Sequence, residues 1–185
     1  MIQKTGLALA ACLALAACGA DQRYAAPVQN PELRLSSSYP TLEIVEMTLP
    51  TYAASEEIYV ETADGAIESL GALWADEPAR AMTLELSRSL GAITNATTAP
   101  EPWPFRGFAS ARVDVRVEEM LATRSNTFRL AGQYFIAPEA EGRDRAGAFS
   151  ISVPMAENAG PATIAAARGV AVRQLAEEIA RRGLR

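Results

Sequence analysis

Between Ala109 and Glu118 the chain alternates without a break: Ala109, Ala111, Val113, Val115 and Val117 are apolar, while Ser110, Arg112, Asp114, Arg116 and Glu118 are polar or charged. A period of two sustained over about ten residues fits a β-strand with one face buried and the other in water. Such a strand cannot stand alone; it needs neighbours along its edges and a second layer over its apolar face. Thr127 to Ile136 and Ala148 to Val153 read as two further strands, joined by the polar turns Arg124-Ser125-Asn126 and Glu141-Gly142-Arg143-Asp144. Together the three predict an antiparallel meander, with the outer row of alternating charges spent on cross-strand pairs.

Upstream, Thr41 to Leu49 predicts a strand buried on both faces and stopped by Pro50. Glu57 to Glu61 and Ala66 to Leu70 flank the turn dipeptide Asp64-Gly65 and predict a hairpin. Asp76 then offers a helix N-cap, followed by Glu77 and Pro78 in the first turn. Ala79, Met82, Leu86 and Leu90 recur at helical spacing, with Gly91 as the expected stop and Trp74 as a lid over the helix start. Ile93 to Phe108 reads as loop. A last helix is predicted from Gly160-Pro161 to Gly183, with Ile164, Ala171, Val172, Leu175 and Ile179 on one face and Arg173, Glu177 and Arg181 on the other. The order β(ββ)αβββα predicts a single α+β domain: a largely antiparallel sheet with two amphipathic helices on one face.

The N-terminus carries a separate message. Lys4 precedes an almost unbroken run of small and apolar residues from Thr5 to Ala17, as in an export signal, and the run is too short to span a bilayer. Its end, Leu15-Ala16-Ala17-Cys18, resembles the lipobox of bacterial lipoproteins. The resemblance implies cleavage between Ala17 and Cys18, with diacylglycerol on the Cys18 thiol. Leu9-Ala10-Ala11-Cys12 has the same form, but its use would leave only about seven apolar residues in the signal, so Cys18 is the expected site. Residues 1–17 are thus read as signal peptide, 18–31 as lipidated N-terminus and flexible tether, and 32–185 as the periplasmic domain. Gly19, rather than aspartate, after the cysteine favours the outer membrane on the same resemblance.

Removing 17 residues from 185 leaves 168, one ordinary domain. The sole lysine departs with the signal, leaving 16 arginines against 22 carboxylates, a formal charge of −6 that disfavours nucleic acid as a partner. No histidine occurs, and both cysteines lie at or before the lipidation site. The mature chain therefore lacks the side chains of histidine triads, thiol hydrolases, Schiff bases and common zinc sites, and no catalytic residue, cofactor or metal is expected. The adjacent pairs Glu56-Glu57, Glu118-Glu119 and Glu177-Glu178 point apart on a strand or helix and read as solvated charge.

Four stretches carry a wider likeness: Val45-Glu46-Met47-Thr48-Leu49-Pro50-Thr51-Tyr52, Trp74-Ala75-Asp76-Glu77-Pro78, Leu130-Ala131-Gly132-Gln133-Tyr134-Phe135, and Val172-Arg173-Gln174-Leu175-Ala176-Glu177-Glu178-Ile179. In this order, behind a lipobox, they resemble the ABC-transport auxiliary lipoproteins, the PqiC family, over about Leu42 to Leu184. The resemblance implies a non-enzymatic accessory subunit of an envelope transporter. Its implied companions are an ATPase, a permease and an MCE-domain protein that moves phospholipid between membranes, and a homo-oligomeric ring is plausible on the same ground. A periplasmic lipid carrier or lipoprotein-sorting protein, holding an acyl chain in its own cavity, is the alternative. Trp103 and Phe105 sit among Pro100, Pro102 and Pro104 in a stretch without periodicity. They read either as a stiff partner-binding loop or as a flap that closes the core. For the lipobox, Cys18→Ser is expected to leave an uncleaved or soluble protein; an unmodified N-terminal peptide, or one starting at Gly19, in the mass spectrum of the wild type would contradict the assignment.

Overall fold

The computed structural model describes residues 22–140 and 142–185. Its central element is β6 (Ala111–Thr123), preceded by β1 (Arg23–Tyr24), β2 (Thr41–Ile44), β3 (Glu57–Glu61), β4 (Ile67–Trp74) and β5 (Thr97–Pro100), and followed by β7 (Thr127–Pro138) and β8 (Arg145–Pro154). Helix α1 (Pro78–Thr94) lies between β4 and β5, and α2 (Pro161–Arg182) ends the chain. β6, β7 and β8 form the expected antiparallel meander. The other edge of β6 is shared end to end: β2 pairs parallel with its start, through Leu42↔Ala111 to Ile44↔Val113, and β3 meets its end at Val60↔Ala122. β5 flanks β2, β4 flanks β3 antiparallel, and β1 flanks β4. The sheet is therefore mixed, antiparallel in its long strands and parallel where short strands join.

Both helices cover one face. α2 lies over β7 and β8, α1 over β5 and β2, and the helices pack on each other. The layer between is filled by Leu42, Ile44, Val113, Val115, Leu130, Leu86, Leu90 and Leu175, each with no exposed surface.

One irregularity sets the phase of the spine. The β6–β7 register shifts between Val117 and Glu119, so that Ala111, Val113, Val115 and Val117 face the core before the shift and Met120 and Ala122 after it. This is a β-bulge, which moves inward-facing positions from odd to even numbers. Opposite it stands Gly132, where an added Cβ would lie 2.1 Å from the Arg116 carbonyl oxygen. The outer row is paired as expected, with Arg112 on Glu43 at 2.9 Å, Gln133 on Glu118 at 2.7 Å and Arg129 on Glu119 at 2.7 Å, while Asp114 pairs within its own strand to Arg116.

Several boundaries differ from the sequence reading. The strand expected over Thr41 to Leu49 is regular only to Ile44; beyond it the Val45 N–H donates to Val113 O at 2.9 Å, an isolated bridge joins Thr48 to Arg116, and the Thr83 hydroxyl accepts the Met47 N–H at 2.9 Å. Helix α1 runs through Gly91 to Thr94 and is closed by Asn95 in the left-handed conformation. Gly91 is there for proximity: a Cβ would stand 2.8 Å from Thr98 Oγ1 on β5. Its N-cap is Glu77, whose carboxylate accepts from the Arg80 N–H, rather than Asp76. β5 lies inside the stretch expected to be loop. Trp74 is buried at the foot of α1, as expected.

Within the stretch expected as tether, the described residues touch the fold. From Gln22 onward the chain is packed: Leu73 N–H donates to Gln22 O, Ala75 N–H to Tyr24 O, and the segment then crosses α2 at Gly169, where a Cβ would meet Ala26 Cβ and Pro27 O at 3.3 Å. Leu33 and Leu35 pack on the core. The positions of Cys12, Ala17 and Cys18 lie outside the described residues.

Leu175 sits mid-stripe on α2 with no exposed surface, whereas Arg173 is ion-paired to Glu177 at the surface. Leu175→Asp is expected to unfold the domain, since an unpaired buried carboxylate costs several kcal/mol against a total of about 5–15. Arg173→Asp should cost about 1 kcal/mol or less. Equal melting temperatures for the two would show that the faces of α2 are assigned wrongly.

Candidate functional site

No helix among the described residues is long and apolar enough to cross a membrane, and no group of acidic side chains among them is gathered as a metal site. The adjacent glutamates diverge to separate partners: Glu56 to Arg23, Glu118 to Gln133, Glu119 to Arg129, Glu177 to Arg173 and Arg181, and Glu178 to Arg182. The most distinctive part of the surface is the aromatic loop between β5 and β6.

The loop is held at its base by charge. Arg112 on β6 binds Glu43 of β2 at 2.9 Å and Glu101 of the loop at 3.1 Å. The second oxygen of Glu43 accepts the Trp103 backbone N–H at 3.0 Å. The Glu101 N–H continues the ladder to Ile44 O at 2.8 Å. Trp103 is half-buried and meets Phe105 edge to face, with ring centroids 5.0 Å apart. Neither ring belongs to the core cluster. Phe105 is 55% exposed and Phe108, three residues on, 81%. Beside them a cleft of about 410 Å³ is lined by Glu43, Glu101, Trp103, Phe108, Arg112 and Glu139. Of its three carboxylates, Glu43 and Glu101 are engaged by Arg112. Trp103 and Phe105 are thus together, on a pinned loop, with Phe108 as a third aromatic that the sequence reading did not single out.

A second feature was missed outright. Arg168 on α2 is 3% exposed, pairs with Glu85 of α1 at 2.6 Å and stacks 4.7 Å over the Trp74 ring. Its Nε, the Trp74 Nε1 and the second oxygen of Glu85 have no partner. Burial raises the Glu85 pKa above its ordinary value of 4.5, and the facing Arg168 offsets that in part. The sequence signal was available: Arg168 falls one turn after Ile164 and one before Val172, on the apolar stripe of α2.

The model of the ABC-type transport auxiliary lipoprotein component matches residues 24–180. The chain belongs to that family. Comparison with curated proteins finds no match. Among solved structures, an uncharacterized protein is similar with a TM-score of 0.71 at 16% identity, over 87% of this chain and 97% of its own. A Xanthomonas campestris protein of the DUF330 family is similar with a TM-score of 0.61 at 14% identity, over 86% and 88%. These likenesses show the fold alone. A PelC dodecamer from Paraburkholderia phytofirmans, at 12% identity, a TM-score of 0.48 and coverage of 83% and 96%, is too distant to carry an argument about assembly.

In this auxiliary lipoprotein the Arg168–Glu85 pair is a structural clasp between helices, with a testable asymmetry. A carboxyl whose folded pKa is raised contributes stability that is present below its unfolded value and is lost as pH rises through the folded value. Glu85→Gln, which mimics the protonated form, should therefore be at least as stable as the wild type at pH 7.5, with the two converging below about pH 4.5. Arg168→Gln strands a buried carboxylate and should cost about 3–5 kcal/mol at pH 7.5, less at pH 4. Melting curves of both variants at the two pH values check this; Glu85→Gln losing several degrees at pH 7.5 would contradict it.

Proposed function

We propose that this family member is a non-enzymatic accessory lipoprotein of an ABC/MCE-type envelope transporter, anchored through Cys18 at the periplasmic face of the outer membrane and supporting phospholipid transport between membranes. The family match over nearly the whole folded domain carries the reading. Its partner is an MCE-domain protein, and Trp103, Phe105 and Phe108 form the contact surface for it or for neighbouring copies in a ring. Exposed aromatics on a loop fixed by charged hydrogen bonds support this, because a rigid anchor loses little entropy on binding. The cation and two carboxylates at the loop base add a polar rim to an aromatic centre, the usual anatomy of an interface. A carrier that holds an acyl chain would need an open apolar interior, and the layer between sheet and helices is instead filled with side chains that have no exposed surface.

A neighbouring set of reading frames for a permease, an ATPase and an MCE protein would support the class at once. The direct test is a pair of variants, Trp103→Ala and Phe105→Ala, assayed for melting temperature and for assembly with themselves and with the MCE partner. Each is expected to weaken assembly by about thirtyfold, the equivalent of an interface hot spot of about 2 kcal/mol, while melting stays within about two degrees. Loss of several degrees with unchanged assembly of the folded fraction would make the loop structural.

A further inference from the structure

The sheet ends on β8, and that edge is bare. Among the described residues β8 pairs with β7 and with no other strand. Met155 N–H donates to Asn126 O at 2.8 Å, next to the pair Thr127↔Pro154, and this fixes the phase of the ladder. In an antiparallel pair the bonded positions alternate, so Val153, Ile151, Phe149 and Gly147 turn their N–H and C=O groups to β7. Ser152, Ser150, Ala148 and Ala146 turn theirs away from the sheet, and no hydrogen bond among the described residues meets them.

A long edge is ordinarily guarded by charge, proline, a bulge or a covering segment. β8 carries no charged residue from Ala146 to Pro154, its register with β7 runs without a shift, and the side chains of Ala146, Ala148, Ser150 and Ser152 are exposed. Arg145, at its start, is turned back to the carbonyls of Gly183 and Arg185. Pro154 occupies the last outward position, so proline ends this edge rather than interrupting it. The ends of the sheet's other arms differ: β5 is four residues closing on Pro100, and β1 is two.

The strand is complementary to itself. Turned about a two-fold axis through Phe149, Ala146 falls opposite Ser152 of a second copy and Ala148 opposite Ser150 of that copy. Small residues face small residues, Arg145 meets Val153, Asp144 meets Pro154, and every outward N–H and C=O of the four residues is satisfied by about eight hydrogen bonds. On the helix side Phe149, Ile151 and Val153 keep 4%, 7% and 8% exposure, against 1%, 0% and 1% for Phe128, Leu130 and Ile136 of β7. The same register sets Phe149 against its own copy and Ile151 against Gly147, which covers what remains of that row. An isologous pair also closes: it leaves no β8 edge open, and no edge of equal length remains for further growth. We propose that two copies of this chain pair through antiparallel β8 strands, joining their sheets into one, with Phe149 on the two-fold axis.

The test exchanges charge across the pair. In Ala148→Lys/Ser150→Lys, lysines stand directly opposite lysines only when two copies meet, and Ala148→Glu/Ser150→Glu does the same with carboxylates. Full-length protein in density-matched detergent is followed by sedimentation equilibrium, with melting curves recorded alongside. Each variant alone is expected to dimerise about tenfold more weakly than the wild type or worse, and an equal mixture of the two to recover wild-type association, with melting of the variants unchanged. As a second readout, Ala148→Cys mixed with Ser150→Cys should form a disulfide under mild oxidation, since facing Cα atoms about 5.5 Å apart suit one, while Ala137→Cys on the exposed row of β7 should not. A wild-type chain that stays monomeric to about 100 μM overturns the proposal. So do charge variants that assemble as the wild type does, a mixture that fails to recover, and a mixed cysteine pair that does not cross-link.

Discussion

The fold depends on β6 having a partner along each edge and a layer over one face. Thirteen residues of strand would otherwise present two rows of unpaired backbone groups, and its valines would face water. β7 satisfies one edge from end to end. The other is divided between β2 and β3, and this division splits the sheet into two arms, one leading to the aromatic loop and the other to the hairpin and the N-terminal strand. The bulge after Val117 keeps the core face continuous through the point where the Glu118-Glu119 pair breaks the alternation, and only glycine at 132 permits the close approach it needs. Two helices then close the one apolar face, α2 over the meander and α1 over the β2–β5 arm.

What was legible in the sequence is what local periodicity dictates. The meander and α2 follow from regular spacing of apolar residues and from sharp punctuation, Asn126 with positive φ at a turn and Gly160-Pro161 and Gly183 at the helix ends. The helix α1 was legible in its face and not in its end, because Gly91 reads as a stop when its actual role is to admit Thr98. β5 was not legible: four residues ending in Pro100 make a strand only because β2 offers a parallel edge, a tertiary fact with no local trace. The same holds for β1, whose two residues pair with a strand some fifty positions away. Aromatics between prolines marked the Trp103–Phe105 loop, yet neither Phe108 nor the Glu43–Arg112–Glu101 base could be placed without the sheet register that brings them together.

The arrangement explains why a domain without histidine, lysine or a free thiol can still be functional. Its distinctive groups are arranged for position. A buried Arg168 clasped to Glu85 and stacked on Trp74 joins the helices near where the N-terminal segment enters. The long axis of β6 then separates an entry end from an aromatic end. On the proposed reading, an auxiliary subunit of a transporter needs such a fixed geometry more than it needs reactive side chains.

The central claim, that the protein serves a transporter as an anchored accessory subunit, is tested most directly by isolating the MCE-domain component from native membranes under mild detergent and quantifying this chain in the complex. The account predicts stoichiometric recovery with the wild-type chain. Absence of the folded, lipidated chain from the isolated transporter at native abundance would contradict it.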